Sequence, residues 1–367
     1  MAATLLPTFR REIRRIAAQP GLLFMLGPCP LLLFALLASI FHAGLPTGLP
    51  VAVVDLDGSQ TSRQIVRMVD ATPDLDVAAR LPNLSEARQA LLSGEVYGIV
   101  MIPENTERDL LSGARPEVVT FYNNQMLTVG GIVARASATA LNGFAAGVSL
   151  QVRQAQGQDK AGAMAAVNPV PVQQSPLFNP ALDYTQFLLA AVMPSMLQIF
   201  ICASAVMALA QDRGRPLVAK LAPYGIVFLG LMWLADAIIF GYFGAPFRGS
   251  IALHLAYTVL FVLACLSLGA VLALATRDTV RGLGLAGLLT APAFGFAGIG
   301  FPRAAMNGFA LTWGAMLPLT PYLQLRTDQV VRGADVAVSL PALAWLGGLV
   351  LLYGGLAWAL SVREGRA

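Results

Sequence analysis

Residues 187–360 form an almost unbroken apolar tract, cut into pieces by a few short loops that carry charge. Crossing ~30 Å of hydrocarbon at ~1.5 Å per residue takes roughly 20 apolar residues, and the pieces have about that length. With 12% charged and 56% hydrophobic residues, a water-soluble fold of 367 residues would have too little charge to cover its surface. Lipid is therefore the solvent of this half. The net charge of +4 does not argue for nucleic acid, because the arginines around the tract sit in loops beside apolar spans, where membrane topology accounts for them.

Six spans are expected, at 22–41, 187–210, 221–243, 251–275, 283–301 and 340–361. Before the first, Leu5, Leu6, Phe9, Ile13 and Ile16 recur at helical spacing with Arg10, Arg11, Arg14 and Arg15 opposite them. That pattern predicts an amphipathic helix within residues 1–20, lying on the membrane; the plainer reading is a basic flank of the next helix, and both put the N-terminus inside. The first span, within 21–43, contains Pro28 and Pro30, which should kink it or mark its start. A cleaved signal peptide is the alternative. Its apolar region would exceed the usual ~7–15 residues and no small-residue cleavage site follows, so a retained anchor is expected.

Residues 46–180 differ in character. They hold 9 of the 24 basic and 12 of the 20 acidic residues, which predicts one inserted domain that folds in water. Strands are expected at 49–55, 75–81, 97–102 and 117–122. Helices are expected at 59–69, 83–93, 105–111 and 126–156, with Ser59 as a cap and Gly94 and Pro103 as stops. Strand alternating with helix implies a small α/β sheet with right-handed crossovers, followed by a proline-rich connector at 168–180.

With the N-terminus inside, the short inner segments carry eleven basic residues (Arg10, Arg11, Arg14, Arg15, Arg213, Arg215, Lys220, Arg277, Arg281, Arg363 and Arg366). The short outer ones carry four (Arg248, Arg303, Arg326 and Arg332). The bias puts 46–180 outside, the five-helix domain at 183–362 in the bilayer and a tail at 363–367 in the cytoplasm. Cys29, Cys202 and Cys265 then fall within spans and read as packing residues. His42 and His254 read as interfacial side chains, and two histidines make a metal site improbable.

Catalytic motifs fail on inspection. Gly282 to Gly287 match G-x-G-x-x-G, but no strand precedes them and leucines fill the positions between. Residues 214–220 lack the spacing and the hydroxyl residue of a phosphate loop. Glycines in the last spans are expected to let helices approach closely in lipid. Asp236 needs a specific account, since by residue count it lies roughly 12 Å inside the bilayer, where an unpaired carboxylate costs about 2.5–3.5 kcal/mol. It should face other helices or a wet path. A structural hydrogen bond, a protonated acid and a contact to substrate or proton all satisfy that requirement.

Several segments taken in order carry a resemblance. Val51 to Asp55 with Asp57, Ser59, Ser62 and Arg63; Glu86 to Arg88 with Leu91, Gly94 and Glu95; and Ile102, Pro103, Glu107 to Leu110 and Gly113 resemble the extracytoplasmic domain of ABC-2 type transporter permeases. Lys220 to Tyr224, Pro246 to Ser250, Phe301-Pro302 and Leu317 to Tyr322 are similar to later parts of that family, above all its drug-exporter-like branch. Nearly the whole chain is covered.

The resemblance implies an α-helical integral membrane protein of six transmembrane helices, with a large α/β extracytoplasmic domain inserted between helices 1 and 2. It implies a permease subunit of a bacterial inner-membrane exporter with no catalytic or metal site of its own, ATP and Mg being held by a separate cytoplasmic ATPase. Further implied partners are a second copy or paralogue, a periplasmic adaptor and the lipid bilayer, with no nucleic acid. Candidate ATPase-coupling residues are Arg10, Arg14, Asp212, Arg213, Gly214 and Arg215; the family's expected glutamate run and threonine are missing there. A re-entrant hairpin is implied at 301–332, its Pro302, Pro318, Pro321 and Tyr322 forming an outer gate. Asp236, Met193, Phe294 and Phe301 are placed along the candidate translocation path for an amphiphile. The competing reading, a membrane-anchored receptor or scaffold whose outer domain binds a ligand or partner, would require a cytoplasmic signalling segment, whereas the inner segments are all short.

Overall fold

A computed structural model of the chain describes residues 2–42, 44, 46–167, 177–179, 183–209 and 216–364. Contacts divide the chain into two compact units, one comprising Met1–Gly44 with Pro176–Ala367 and the other Leu45–Ser175. The first unit opens with α1 (Ala2–Ala18), α2 (Pro20–Leu26) and α3 (Pro28–Ile40). Gly27 breaks α2 from α3 with non-helical angles (φ −126°, ψ −81°), because Pro28 and Pro30 supply no amide hydrogen for the turn before them.

The second unit is a four-stranded sheet covered by helices. Its elements are β1 (Leu49–Asp55), α4 (Gln60–Asp70), β2 (Leu75–Leu81), α5 (Leu84–Ser93), β3 (Gly98–Ile102), α6 (Thr106–Leu111), β4 (Val119–Tyr122), α7 (Leu127–Ala155) and α8 (Lys160–Val167). Strand order is β2-β1-β3-β4, with β1 parallel to both neighbours and β4 antiparallel to β3. The last pairing departs from the expected all-crossover sheet. Alternation sets the layers: Val51 and Val53 pack with α4 and α7 on one face, Ala52 and Val54 with α5 on the other. Ser59 caps α4 through the Ser62 amide, Asn83 caps α5 through the Glu86 amide, and Gly94 closes α5 in the left-handed region (φ +80°).

The first unit resumes with a π-helical turn (Thr185–Leu189) leading into α9 (Ala190–Leu209). Then α10 (Leu217–Asp236) runs into a second π turn (Ala237–Tyr242), followed by α11 (Ile251–Thr276), α12 (Thr279–Thr290), α13 (Ala293–Phe296), α14 (Gly308–Met316) and α15 (Leu319–Arg326). A third π turn (Thr327–Arg332) precedes α16 (Val336–Glu364). Five helical stretches are long and apolar enough to cross a membrane: Pro20–Ile40, Thr185–Leu209, Leu217–Tyr242, Ile251–Thr276 and Val336–Arg363. α11 is the hub, packed on α9, α10, α12, α15 and α16.

The span expected at 283–301 is not one helix. Its helix ends at Thr290, two residues before Pro292, and the 12 residues of α12 reach only about 18 Å at ~1.5 Å each. Within one chain the glycine expectation is met at some positions. A Cβ on Gly282 would meet Val206 at 2.8 Å, whereas Gly284, Gly287, Gly295, Gly300, Gly347, Gly348 and Gly355 have no such neighbour within 4 Å among the described residues. The tightest helix approach comes at Gly269, where a Cβ would stand 2.5 Å from the Cys202 carbonyl oxygen.

Candidate functional site

Three elements end or change their winding at one level of the first unit. Asp236 is the last residue of α10 before its π turn, Arg326 the last of α15 before another, and His254 lies in the first turn of α11, which Ser250 caps. π turns widen the backbone locally and recur at functional positions. Here two such turns and the start of α11 bring an acid, a guanidinium and an imidazole to one point.

The Asp236 carboxylate accepts from Arg326 Nη1 at 2.7 Å on one oxygen and meets His254 Nε2 at 2.6 Å on the other. An ionised carboxylate only accepts, so Nε2 carries the hydrogen, and Nδ1 meets the Tyr257 hydroxyl. Arg326 Nη1 also donates to the Tyr322 hydroxyl at 3.2 Å, and the guanidinium lies 5.3 Å from the Phe240 ring centroid, within cation–π range. Tyr322 stacks on Phe261 at 4.3 Å and meets Tyr257 edge-on. Side-chain exposure is 4% for Arg326, 5% for His254 and 12% for Asp236, so water does little to weaken the attraction.

Two openings flank the cluster. Asp236 and His254 line a groove of about 410 Å³ whose other walls are apolar, among them Trp233, Phe240, Phe247 and Leu255. Arg326 lines a cavity of about 40 Å³ with residues of all three π turns, Gln186 and Phe187 from the first, Ile239 and Phe240 from the second, and Thr327 and Val330 from the third. Its Nε and Nη2 have no hydrogen-bond partner among the described residues. The arrangement can hold polar matter between apolar walls.

Sequence reasoning placed Asp236 but missed both partners. Arg326 was counted among outer-loop charges and His254 among interfacial side chains; both are buried, because a carboxylate inside lipid needs a cation and donors. Met193 is fully buried in the same core, Phe294 is half-buried and Phe301 exposed. Of the four gate residues Pro302 is exposed, whereas Pro318, Pro321 and Tyr322 are core residues that begin α15 and brace Arg326.

The N-terminal helix carries a second cluster. Glu12 Oε1 accepts from Tyr224 of α10 at 2.8 Å and from Arg15 at 3.0 Å. Arg15 also donates to the Met207 and Ala208 carbonyls at the end of α9. At ~100° per residue, buried Thr8 and Glu12 and half-buried Arg15 form one stripe. Exposed Leu5, Leu6 and Ile13 form a second, and exposed Arg10, Arg11 and Arg14 a third. The two-sided amphipathic helix expected from sequence is thus three-sided, because Glu12 gives it a polar face toward protein. Asp212, Arg213, Gly214 and Arg215 lie outside the described residues.

A family model described as ABC-2 family transporter protein matches residues 20–359. No curated protein matches the sequence.

Proposed function

The chain belongs to the ABC-2 family of transporter proteins, and we propose that this membrane subunit exports an amphiphile, drug-like or lipid-like, from the cytoplasm or inner leaflet. The energy comes from ATP hydrolysed by a separate cytoplasmic subunit. On this reading the protein is a multi-pass protein of a bacterial inner membrane, with its N-terminus inside and residues 46–180 outside. The broken segment of α12 and α13 supplies a sixth crossing, and α14 with α15 forms a re-entrant hairpin whose free backbone groups are covered by protein.

The observation that carries the proposal is the buried Asp236–Arg326–His254 cluster, which joins α10, α11 and α15 beside an apolar groove. A charged link inside lipid is expensive to keep, and it stabilises less than apolar packing would. Its use is a junction with two arrangements, closed when Asp236 holds Arg326 and open when the helices part. The ATPase drives that change from below, through residues 211–215 and the basic face of α1, with Arg10 and Arg14 at the contact. A second copy or paralogue completes the pathway, and a periplasmic adaptor is a further partner by family.

The test is transport in proteoliposomes. The chain reconstituted with its genomically adjacent ATPase should accumulate a fluorescent amphiphile when ATP is supplied, and the chain alone should not. Nucleotide-driven accumulation by the chain alone would refute the proposal.

A further inference from the structure

We propose that the cavity beside Arg326 receives the two-oxygen anionic headgroup of the amphiphile, a carboxylate or a phosphodiester; this rests on the export reading above and names its substrate class. A buried guanidinium ordinarily uses its donors. Here Nη1 serves Asp236 and Tyr322, while Nε and Nη2, the parallel edge that fits an oxyanion in bidentate fashion, have no partner among the described residues. Arg326 is 4% exposed, so bulk water does not satisfy that edge. Both nitrogens are sealed in this conformation, so an acceptor in the cavity that Arg326 lines reaches them as the guanidinium turns from Asp236.

The cavity fits such a group. Its volume of about 40 Å³ is roughly three times what one water needs, which suits a carboxylate and not a ring or a sugar. Gln186 and Thr327 supply further polar atoms on its wall, and Phe187, Ile239, Phe240 and Val330 offer apolar surface where a chain would leave. A single charge is preferred over a double one. Asp236 already neutralises Arg326, and a second full negative charge this close to the carboxylate would repel it. The bound headgroup competes with Asp236 for the guanidinium, so loading the site weakens the Asp236–Arg326 link that the export reading treats as its closed junction.

Equilibrium binding tests this without nucleotide. Dodecanoate, dodecanol and dodecyltrimethylammonium are titrated by calorimetry into the chain, complexed with its ATPase, in nanodiscs of zwitterionic lipid. The proposal expects dodecanoate to bind at least tenfold more tightly than dodecanol, the effect of one charge-assisted pair of hydrogen bonds, and the cation not to compete. Arg326→Gln leaves Asp236 unpaired and can misfold. Asp236→Asn with Arg326→Gln removes both charges and should abolish the preference for dodecanoate, while Ala190→Leu, which intrudes on the cavity wall, should weaken dodecanoate with the ion pair intact. Equal binding of dodecanoate and dodecanol would overturn the proposal and leave a buried water only as the partner of Arg326. Binding selectivity with no ATP-driven transport would sink the export reading and leave the headgroup site standing.

Discussion

Replacing Asp236 with Asn keeps the shape of the side chain and removes the charge that faces Arg326 at 2.7 Å. The guanidinium then remains in the core with its counter-charge gone. At an effective dielectric constant near 20, opposite charges about 4 Å apart attract by about 4 kcal/mol, and breaking one partner of a buried pair costs about 3–5 kcal/mol. Both side chains are nearly sealed, so solvent screening takes little from that figure. The double variant Asp236→Asn with Arg326→Gln leaves neither charge stranded and should return to within about 1–2 kcal/mol of the parent. The assay is unfolding of purified protein in one detergent by a graded denaturant, read by helical ellipticity. A single variant that costs under about 1 kcal/mol, or a double variant worse than Asp236→Asn alone, refutes the claim that the two charges hold each other. Transport by the double variant separates structure from function. If its stability recovers and its export does not, the cluster acts in the cycle; normal export at normal protein level reduces it to packing.

Three further changes test other parts of the molecule. Tyr224→Phe deletes the hydroxyl that Glu12 accepts, and should cost about 1.5–3 kcal/mol and lower substrate moved per ATP hydrolysed; an unchanged ratio would show that α1 is not coupled through this contact. Gly249→Ala would put a Cβ 2.4 Å from the Gln329 carbonyl oxygen, at a segment where Gln329 also accepts from the Ser250 amide, and should lower the melting temperature by an amount equivalent to about 1–3 kcal/mol. Leu92→Cys, on a position 76% exposed, should react in intact cells with a membrane-impermeant maleimide; labelling only after lysis would reverse the proposed orientation.

How legible each part was depends on how local its cause is. The elements of the second unit lay open in the sequence because their signals are short-range: Ser59 and Asn83 cap the helices that follow them, Gly94 supplies the left-handed stop, and β1 is a run of buried apolar residues. The antiparallel β4 was not legible, since pairing direction depends on the geometry of a connection and not on composition. In the membrane half, hydropathy marks five crossings well, and at 283–301 it fails because apolar character says nothing about whether Pro292 interrupts the winding. The one local cue there, the proline, carries more information than the hydropathy around it.

The cluster shows a different limit. Asp236 stood out because a carboxylate in hydrocarbon is costly, and the same physics required a partner that the sequence could not name, with Arg326 lying 90 positions away and His254 lying 18. The sequence does carry one signal. Arg326 follows Tyr322 by one helical turn and His254 precedes Tyr257 by three, so each cation candidate has a hydroxyl on its own helix face. Pairing the buried acid with ionisable residues on the same side of the bilayer that have such a hydroxyl joins the three residues. Glu12 yields to the same argument: an acid amid four arginines on an otherwise amphipathic helix marks the face that turns toward protein, where the Tyr224 hydroxyl and the carbonyl end of α9 meet it.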